Sequence, residues 1–384
     1  MATPNTAIRI VSLLPVLGHP RDSKRVAMLQ DGGFDVSVIA FERPYHQGRM
    51  PTAPVTSLGR IEHGRYLSRA LRMLAALPRV RRALRGARVA YASGQDMALF
   101  AIVAAAGLRV SIVLEVGDLR RVQVDPGIKG AIVRYLDRQI AKRSCLLVVT
   151  ARGFAEGYYR DRLGIRTPWL LLENKLDATS PPPISPVRCA ARELRPAGTI
   201  RIGYFGVLRC RWSWEVLREI ARRSGGRFEI VVAGHCMEPV DLPQQASREP
   251  HVSYRGTYRS PQDLPALYGG IDMVWACYPG PEQEDPQWRW AQGIRRLNRF
   301  YESCHFKTPL ITLAESADGA EVARLGVGIA LTDPSIDAIW SVMSTIDQGR
   351  LSKWRAQMSR LPASAGVYTD EPRLLREALL RFAT

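Results

Sequence analysis

Two short, apolar, β-rich segments constrain the fold of this chain most strongly. They are AIRIVSLL (7–14) and TIRIGYFG (199–206), and each is followed by a polar loop and then a helix-like segment. Strand, loop and helix in this order open a βαβ unit, in which parallel strands are joined through helices. The sequence therefore predicts an α/β protein with two domains of similar design.

Further apolar runs predict the remaining strands of both sheets. In the first half they are FDVSVIAF (34–41), RVAYAS (88–93), RVSIVLEV (109–116) and CLLVVTA (145–151). In the second half they are RFEIVVAG (227–234), HVSYRG (251–256), IDMVWACY (271–278) and PLITLA (309–314). Their near-continuous apolar character is typical of parallel sheets that are covered by helices on both faces.

Prolines separate the two halves. Positions 181, 182, 183 and 186 are all proline, and prolines so close together fit neither a regular helix nor a central strand. We predict a first domain over 1–178, a proline-rich linker over 179–198, a second domain over 199–360 and a C-terminal amphipathic segment over 361–384.

The composition narrows the environment and the partners. The 384 residues carry a net charge of +18, which favours a polyanionic partner such as nucleic acid, an anionic membrane surface or a phosphorylated substrate. Six scattered cysteines without a C-x-x-C motif do not form a disulfide framework, so a reducing cytoplasm is expected. The N-terminus does not resemble a signal peptide. The most apolar stretch, Ala98–Leu108, is too short to span a bilayer, so any membrane contact would be peripheral.

One basic segment is a candidate membrane surface. Between positions 65 and 88 there are eight arginines and no acid, with five leucines interleaved and a break at Pro78. An amphipathic basic helix can bind anionic lipid through residues such as Arg69, Arg72, Arg79 and Arg82. An ordinary surface helix whose leucines pack on the sheet remains an alternative. No recognised nucleic-acid-binding motif is present, and no nucleic-acid partner is expected.

The loop after the second opening strand is a candidate phosphate site. The chain has no G-x-x-x-x-G-K-[ST] motif and no G-x-G-x-x-G after either opening strand. Instead, GYFGVLRCRWSW (203–214) offers Gly206 for a tight turn, with Arg209 and Arg211 projecting at the carboxyl edge of the sheet. Arginine suits a diphosphate there, although solvated surface arginines are the plainer interpretation.

The segment RRLNRFYESCHFKTPLIT (295–312) predicts a helix, a turn at Pro309 and a strand. Adjacent Cys304 and His305 diverge by about 100° on a helix, which argues against a local Cys-His pair, and metal ligands at i+3 or i+4 are missing. Glu302 is placed to accept the hydroxyl hydrogens of a ribose. A solvated glutamate that pairs with Arg299 or Arg296 is an equal alternative.

Several segments together resemble GT-B glycosyltransferases, with a donor domain similar to glycosyltransferase family 4 and related bacterial exopolysaccharide enzymes. In the second half these are YFGVLR (204–209), HVSYRGTYRSPQDLPALYGGID (251–272) and LNRFYESCHFKTPLI (297–311). In the first half HPRDSKRVAMLQDGGFDVSVIAF (19–41), VLEVGDLRR (113–121) and LLENKLD (171–177) are similar more loosely. The resemblance implies two Rossmann-like domains facing across a cleft, with the C-terminal helix crossing back to the first.

The resemblance also implies roles for residues. Glu302 matches the ribose-binding glutamate, Arg209 and Arg211 would meet the pyrophosphate, and Asn298 and Arg299 begin a helix whose N–H groups can face a phosphate. Lys307 and Arg209 could neutralise charge on the leaving diphosphate. Arg295 stands where retaining members commonly have a second glutamate, so both inversion and retention stay open. No metal motif appears, and neither a metal nor another cofactor is expected besides the nucleotide-sugar co-substrate.

An inverting transferase needs a general base for the acceptor hydroxyl. Asp118, directly after the strand RVSIVLEV, is the first candidate, and Asp22, after the first strand, is the second. His19 and Glu115 follow. A helix N-cap, or a partner of Arg120 or Arg121, is the competing interpretation of Asp118.

The sequence thus predicts a glycosyltransferase that moves a sugar from a nucleotide-sugar, with UDP the expected nucleotide, to a glycan acceptor. A lipid-linked acceptor in bacterial exopolysaccharide or cell-envelope synthesis is expected, on the inner face of the cytoplasmic membrane. The donor sugar could be a hexose or glucuronate. The alternatives are a non-catalytic protein of the same fold that binds membrane or RNA, and a sugar-nucleotide epimerase.

Overall fold

The computed structural model describes residues 7–42, 50–60, 66–177, 198–281 and 285–383, with backbone alone for 66–70. The chain divides into two compact units. The first comprises residues 1–174 and 369–384, and the second comprises residues 175–368. The predicted linker, 179–198, lies outside the described residues except for Gly198.

The first unit is built on a parallel sheet with the strand order β3-β2-β1-β4-β5-β6-β7. The strands are β1 (Arg9–Leu14), β2 (Asp35–Glu42), β3 (Val55–Arg60), β4 (Val89–Ser93), β5 (Ser111–Val116), β6 (Leu146–Val149) and β7 (Trp169–Leu171). The helices are α1 (Pro20–Asp31), α2 (Tyr66–Leu84), α3 (Gln95–Ala104), α4 (Arg121–Val124) and α5 (Ile128–Arg143), followed by a π-helical segment, Phe154–Arg162.

The second unit has a parallel sheet with the strand order β10-β9-β8-β11-β12-β13. The strands are β8 (Ile200–Arg209), β9 (Phe228–Glu238), β10 (Val252–Tyr254), β11 (Met273–Trp275), β12 (Leu310–Leu313) and β13 (Gly328–Leu331). The helices are α6 (Arg211–Ser224), α7 (Leu242–Ala246), α8 (Leu264–Gly269), α9 (Pro286–Gly293), α10 (Asn298–Phe306), α11 (Ala317–Leu325), α12 (Ile336–Ser344) and α13 (Gln348–Arg360).

The C-terminal helix α14 (Glu371–Leu380) is part of the first unit. It packs against α1, where the Arg376 guanidinium donates to the Gly32 carbonyl oxygen at 2.5 Å. The Ser111 hydroxyl of β5 donates to the Phe382 carbonyl oxygen at 2.8 Å. These contacts explain why the amphipathic pattern at the end of the chain has Leu375 and Leu379 fully buried.

Alternation along the strands produces the two-sided cores that the sequence predicts. In β8, the side chains of Ile202 and Tyr204 pack on one face of the second sheet, while the side chain of Phe205 packs on the other. Successive side chains of a strand point to opposite faces, so both faces of this sheet are apolar and both are covered by helices. The prediction of two parallel-sheet α/β domains is confirmed.

The structure adds strands that the sequence pattern did not reveal. The edge strands β3, β7 and β13 were not predicted, and β3 has five exposed positions among its six residues. The opening strand of the second unit also continues past Gly206 to Arg209, because β9 pairs with it over its whole length. The predicted loop position of Arg209 is therefore wrong, since this arginine is the last residue of β8.

A buried ion pair joins α1 to the centre of the first sheet. The Arg25 guanidinium donates to both carboxylate oxygens of Glu115 at 3.1–3.2 Å, and the Tyr91 hydroxyl donates to the same carboxylate at 2.6 Å. Burial opposes ionisation of Glu115, but the charge and hydrogen bonds of Arg25 outweigh it and lower the pKa of the carboxyl. Glu115 is thus a structural residue rather than an accessible base.

We predict that Glu115→Ala lowers the free energy of unfolding by about 3–5 kcal/mol, because it leaves the Arg25 charge buried without its carboxylate. Urea denaturation followed by circular dichroism measures this change. The control is Glu377→Ala on α14, which removes the exposed Arg373–Glu377 pair and should cost at most about 1 kcal/mol. Equal effects of the two substitutions would contradict the prediction.

Candidate functional site

Two glycines bring β8 and β9 into close contact at the carboxyl edge of the second sheet. Gly206 has φ +113° and Gly234 has φ +139°, both in the region that favours glycine. A Cβ on Gly234 would lie 1.7 Å from the carbonyl oxygen of Gly206, so no side chain fits there. Open parallel sheets bind ligands at this edge. On the central strand β8, Gly206 leaves the backbone at this edge uncovered by a side chain.

Arg299, in the first turn of α10, lies against the bare backbone at Gly206. Its guanidinium would be 3.4 Å from a Cβ on Gly206, and it donates to the Trp275 carbonyl oxygen at 3.3 Å. The guanidinium also lies over the Tyr204 ring, 5.1 Å from the centroid. The structure thereby brings together two of the predicted donor-binding residues, Gly206 and Arg299.

Tyr278, just beyond β11, joins two further arginines. The guanidinium carbons of Arg209 and Arg295 are each 4.9 Å from the centroid of its ring. Cation–π attraction to the ring offsets part of the repulsion between two neighbouring positive charges. Arg295, which the sequence marks only as the position of a missing glutamate, therefore belongs with Arg209 to a positively charged group at this edge. No sequence pattern pointed to Tyr278.

The other two predicted residues at this edge are exposed. Asn298 is the first residue of α10, where its backbone N–H group is not used within the helix. Arg211 is the first residue of α6, and its Nε lies 3.9 Å from a carboxylate oxygen of Glu238. Arg211 begins a helix that directly follows the carboxyl end of β8. Asn298 begins a helix that leads into the amino end of β12.

Glu302 is buried one helical turn beyond Arg299. Its carboxylate accepts a hydrogen bond from the Tyr268 hydroxyl at 2.8 Å, and its side chain is on the same helix face as that of Arg299. Burial, and then the charge of Glu302, raise the pKa of the Tyr268 phenol, so this tyrosine stays a hydrogen-bond donor. Tyr258 is affected in the same way: burial and the Glu302 charge raise its pKa.

Asp318 fixes the beginning of α10. Its Oδ2 accepts the backbone N–H of Leu297 at 3.0 Å, and its Oδ1 lies 3.7 Å from the Arg296 Nε. Complete burial raises the pKa of this carboxyl to about 7, and the Leu297 hydrogen bond and the nearby arginines only partly oppose the shift. Sequence reasoning missed Asp318, because it lies in the first turn of α11, far along the chain from the helix it positions.

Lys307 is separated from this group by the length of α10. It has φ +54° and ends the helix, and its ammonium donates to the Leu361 carbonyl oxygen at 2.8 Å. Burial lowers the pKa of the Lys307 side chain. The helix leads into the amino end of β12, so Lys307 lies at the opposite edge of the sheet from Gly206, and the structure does not bring it together with the other predicted donor-binding residues.

In the first unit, Asp118 follows β5 at the carboxyl edge of the sheet. It is exposed, and its Oδ1 accepts the backbone N–H of Leu119 at 2.9 Å. Helix α4 has Arg120 rather than Asp118 at its N-cap position, and Arg120 pairs with Asp96 at 3.1 Å. Asp118 therefore does not have the N-cap role that competed with a catalytic one.

Gly117, beside Asp118, accommodates an arginine. The Arg21 guanidinium donates to the Gly117 carbonyl oxygen at 3.0 Å, and a Cβ on Gly117 would lie 2.0 Å from the guanidinium carbon. The Arg21 side chain thus occupies the space that the Cβ of a larger residue at position 117 would need. Sequence reasoning did not predict this contact, because Arg21 and Gly117 lie far apart along the chain.

Asp22 lies in the first turn of α1 and its side chain is buried. The Ser93 hydroxyl at the end of β4 donates to Asp22 Oδ1 at 2.7 Å. The imidazole Nδ1 of His19 lies 3.5 Å from Asp22 Oδ2, and His19 is about one-third exposed. Of the two predicted bases, Asp118 is thus open to solvent and Asp22 is covered.

The basic segment forms the single helix α2, within which Pro78 is accommodated. Arg72, Arg79 and Arg82 are exposed, and Val80 and Leu84 are buried against the unit. The Arg69 side chain lies outside the described residues. The expected helix pair broken at Pro78 is wrong, because the helix continues through the proline.

The described ranges offer neither a metal-binding cluster nor a membrane-spanning helix. Residues 7–42, 50–60, 66–177, 198–281 and 285–383 contain no group of three or more His, Cys, Asp or Glu side chains arranged to hold a metal ion. In the same part of the chain, the helices are all too short or too polar to cross a membrane.

The two parallel-sheet units define the fold class: this is a GT-B fold, as the sequence resemblance predicted. Anabaena Alr3699/HepE in complex with UDP superimposes with a TM-score of 0.70 at 14% identity, covering 98% of this chain and 100% of that chain. Sucrose-phosphate synthase from Thermosynechococcus elongatus has a TM-score of 0.70 at 12% identity, covering 97% of this chain and 98% of its own.

The chain is also similar to a curated protein, the succinoglycan biosynthesis protein ExoL of Rhizobium meliloti (strain 1021). The two are 29% identical over 389 aligned positions, which cover 96% of this chain and 93% of ExoL. No protein-family model matches the chain.

The raised pKa of Asp318 predicts a pH dependence of stability. The folded carboxyl binds its proton more tightly than the unfolded one, whose pKa is about 3.9, so its contribution is full below pH 4 and is lost as the pH rises through about 7. Asp318→Asn keeps an oxygen for the Leu297 N–H and should remove this loss, which is on the order of a few kcal/mol.

Urea denaturation of the wild type and Asp318→Asn at intervals from pH 4 to pH 8 tests this prediction. The difference between the two stability curves isolates the contribution of this one carboxyl from those of the other acids. Curves that stay parallel across the range would show that Asp318 does not titrate there.

Proposed function

We propose that this protein is a glycosyltransferase that moves a sugar from a nucleotide-sugar, with UDP as the nucleotide, to a lipid-linked glycan acceptor in bacterial exopolysaccharide synthesis. The observation that carries the proposal is a set of side chains along one sheet edge. Arg299 lies against the bare backbone of Gly206, Glu302 follows one turn further along the same helix face, and Arg209 and Arg295 share the Tyr278 ring. A carboxylate that can accept ribose hydroxyl hydrogens is followed, along one sheet edge, by cations suited to a diphosphate.

Both kinds of relative support this function. HepE shares the fold over nearly the whole chain and its structure holds UDP. ExoL, which also matches over nearly the whole chain, takes part in succinoglycan biosynthesis. A nucleotide-sugar transferase of exopolysaccharide synthesis is consistent with the fold, with the candidate site and with both relatives. The choice of UDP follows HepE.

The second unit would bind the donor as follows. Glu302 accepts the ribose hydroxyl hydrogens, while Tyr268 keeps its carboxylate oriented. Arg299 and the N-terminus of α10, with Asn298, face the diphosphate, and Arg209 with Arg211 meets it from the end of β8. Because Lys307 is bound to the Leu361 carbonyl at the far end of the helix, we leave it out of this proposal.

Transfer breaks the bond between the anomeric carbon and the diphosphate oxygen, and the electron pair leaves with the diphosphate. Arginine side chains stabilise the negative charge that develops on this leaving group. The acceptor hydroxyl oxygen forms the new bond to the anomeric carbon and loses its proton to a base. We propose Asp118 as that base, since its carboxylate is exposed at the carboxyl edge of the first sheet, and Asp22 as the alternative.

The acceptor and location form part of the same proposal. A lipid-linked acceptor would bring the enzyme to the cytoplasmic face of the membrane, where the exposed arginines of α2, Arg72, Arg79 and Arg82, can contact anionic lipid. Arg69, on the same helix, would contribute in the same way. The net charge of +18 favours contact with an anionic surface over contact with a neutral one.

Removing the Glu302 carboxylate tests donor binding. Glu302→Ala should weaken UDP and UDP-sugar affinity by about 10- to 100-fold, because hydrogen bonds to a charged group contribute about 1.5–3 kcal/mol. Isothermal titration calorimetry with UDP-, GDP- and dTDP-sugars measures the affinity for each and identifies the nucleotide that binds most tightly. The control is Glu219→Ala on α6, which removes a partly exposed glutamate paired with Arg223 and should leave binding unchanged.

Two results would refute the donor proposal. One is that the wild-type chain binds none of these nucleotide-sugars. The other is that Glu302→Ala binds them with wild-type affinity. Conversion of the donor sugar without any acceptor would instead favour an epimerase.

Removing the proposed base should slow transfer without weakening donor binding. We expect Asp118→Asn to lower kcat by about 100-fold or more, because general base catalysis contributes 10²–10⁴-fold, while the UDP-sugar dissociation constant stays the same. Transfer to a lipid-linked glycan, followed with a radiolabelled donor, gives kcat. A larger loss in Asp22→Asn than in Asp118→Asn would move the role of base to the pair of Asp22 and His19.

A further inference from the structure

Helices α2, α3 and α5 cover the same side of the first sheet. The chain moves from β3 to β4 through α2, from β4 to β5 through α3 and from β5 to β6 through α5. These crossovers all run in one direction along the sheet, and right-handed connections place their helices on a common side. Helix α3 contacts both of the others.

Large apolar side chains on the outer surfaces of all three helices are exposed. We call this set the three-helix face: Leu71 and Leu74 on α2, Leu99 and Val103 on α3, and Ile128, Ile132, Tyr135 and Leu136 on α5. The α5 members recur at helical spacing and form one stripe, in which Ile128 is 81% exposed. A soluble helix normally presents polar side chains in such positions, and a concentration of exposed apolar groups indicates an interaction surface.

Other residues of α3 and α5 pack into the core, and the exposed apolar side chains are not required for this packing. Helix α5 buries Gly130, Asp137, Ile140 and Ala141, whereas Ile132 is 55% and Leu136 41% exposed. Helix α3 buries Phe100, Ala101 and Ala104, so Leu99 and Val103 are additional to its packing. The apolar stretch 98–108, which sequence analysis found too short to cross a bilayer, therefore has its outward residues in the three-helix face.

The exposed charges beside the three-helix face are positive on α2 and α5, while the acid of α3, Asp96, is partly exposed and paired with Arg120. Exposed basic residues accompany it on α2 (Arg72, Arg79, Arg82) and on α5 (Lys129, Arg138, Lys142). Helix α2 contains no acid, and Asp137, the acid of α5, is buried with hydrogen bonds from Gln123 and Tyr158. An apolar centre with basic surroundings matches the interface of an anionic bilayer, in which aliphatic groups enter the acyl region and basic groups meet lipid phosphates.

The same features disfavour other occupants. Two copies of the chain that met through this face would bring their basic residues together, which is unfavourable. A nucleic acid would match the positive charge but would leave the aliphatic stripe of α5 against a charged backbone. We infer that the three-helix face docks the protein on an anionic lipid surface, with α3 and α5 supplying the apolar contact and α2 supplying much of the charge.

The decisive variant is Ile132→Glu with Leu136→Glu, which places two acids in the α5 stripe. Flotation with vesicles of phosphatidylcholine and one-third phosphatidylglycerol, at physiological ionic strength, should show strong binding by the wild type. The double variant should bind at least about ten-fold more weakly, since charged groups enter the acyl boundary poorly. The conservative pair Ile132→Leu with Leu136→Ile should bind as the wild type does.

Matched controls separate a surface effect from misfolding. Val240→Glu changes an exposed aliphatic residue of the second unit, which is 77% exposed, and should leave vesicle binding unchanged. Thermal stabilisation by UDP should be the same in the wild type and in both glutamate variants, because the three-helix face is not part of the donor site.

The inference rests on the proposed lipid-linked acceptor, but the two can fail separately. Failure of the wild type to bind the anionic vesicles, or wild-type binding by the double glutamate variant, would overturn the docking surface even if UDP binds. Light scattering that shows a wild-type dimer dissociated by the double variant, without vesicle binding, would assign the face to self-association and overturn the inference. Vesicle binding by a wild type that binds no nucleotide-sugar would refute the enzyme and leave the docking surface standing.

Discussion

The covering of both sheet faces by helices is the constraint on which the rest of this structure depends. Parallel strands such as β4 and β11 are buried on both sides, so their side chains are almost all apolar and cannot carry chemistry. Functional groups are then limited to the strand ends and to the helices that follow them. Arg209, Tyr278 and Arg299 lie in such positions in the second unit, as Asp118 does in the first.

The same constraint accounts for the buried polar groups that remain. Arg25, Glu115 and Tyr91 are inside the first unit because each supplies the hydrogen bond or charge that another needs. Asp318 is inside the second unit because the first N–H groups of α10 need an acceptor. Glu302 differs from these: its bond to Tyr268 orients a carboxylate on the helix face that Arg299 also occupies, next to the sheet edge.

The sequence was sufficient for the central strands of both sheets, because buried parallel strands and amphipathic helices have clear apolar patterns. It was insufficient for the edge strands β3, β7 and β13, because β3 is mostly exposed and β7 and β13 have only three and four residues. It also placed Arg209 in a loop, since only the pairing with β9 shows that β8 continues past Gly206. Local pattern cannot reveal which distant strand will satisfy the backbone of such a segment.

The candidate site shows the same division. Glu302, Asn298 and Arg299 could be identified from one contiguous motif on one helix. Tyr278 and Asp318 could not, because they come from other segments of the chain and contact residues that precede this helix. Lys307 belongs to the motif in sequence but lies at the other end of the helix. The exposed stripe of α5 was missed because apolar periodicity alone does not tell which side of a helix faces the core.

The contact between Arg21 and Gly117 has a consequence for how this protein can change. The guanidinium occupies the place where a side chain at position 117 would begin, so a larger residue there would displace this flexible end and break its hydrogen bond to the Gly117 carbonyl oxygen. The glycine therefore sets where a positive charge stands next to Asp118. A substitution at position 117 would change the electrostatic surroundings of the proposed base without touching the base itself.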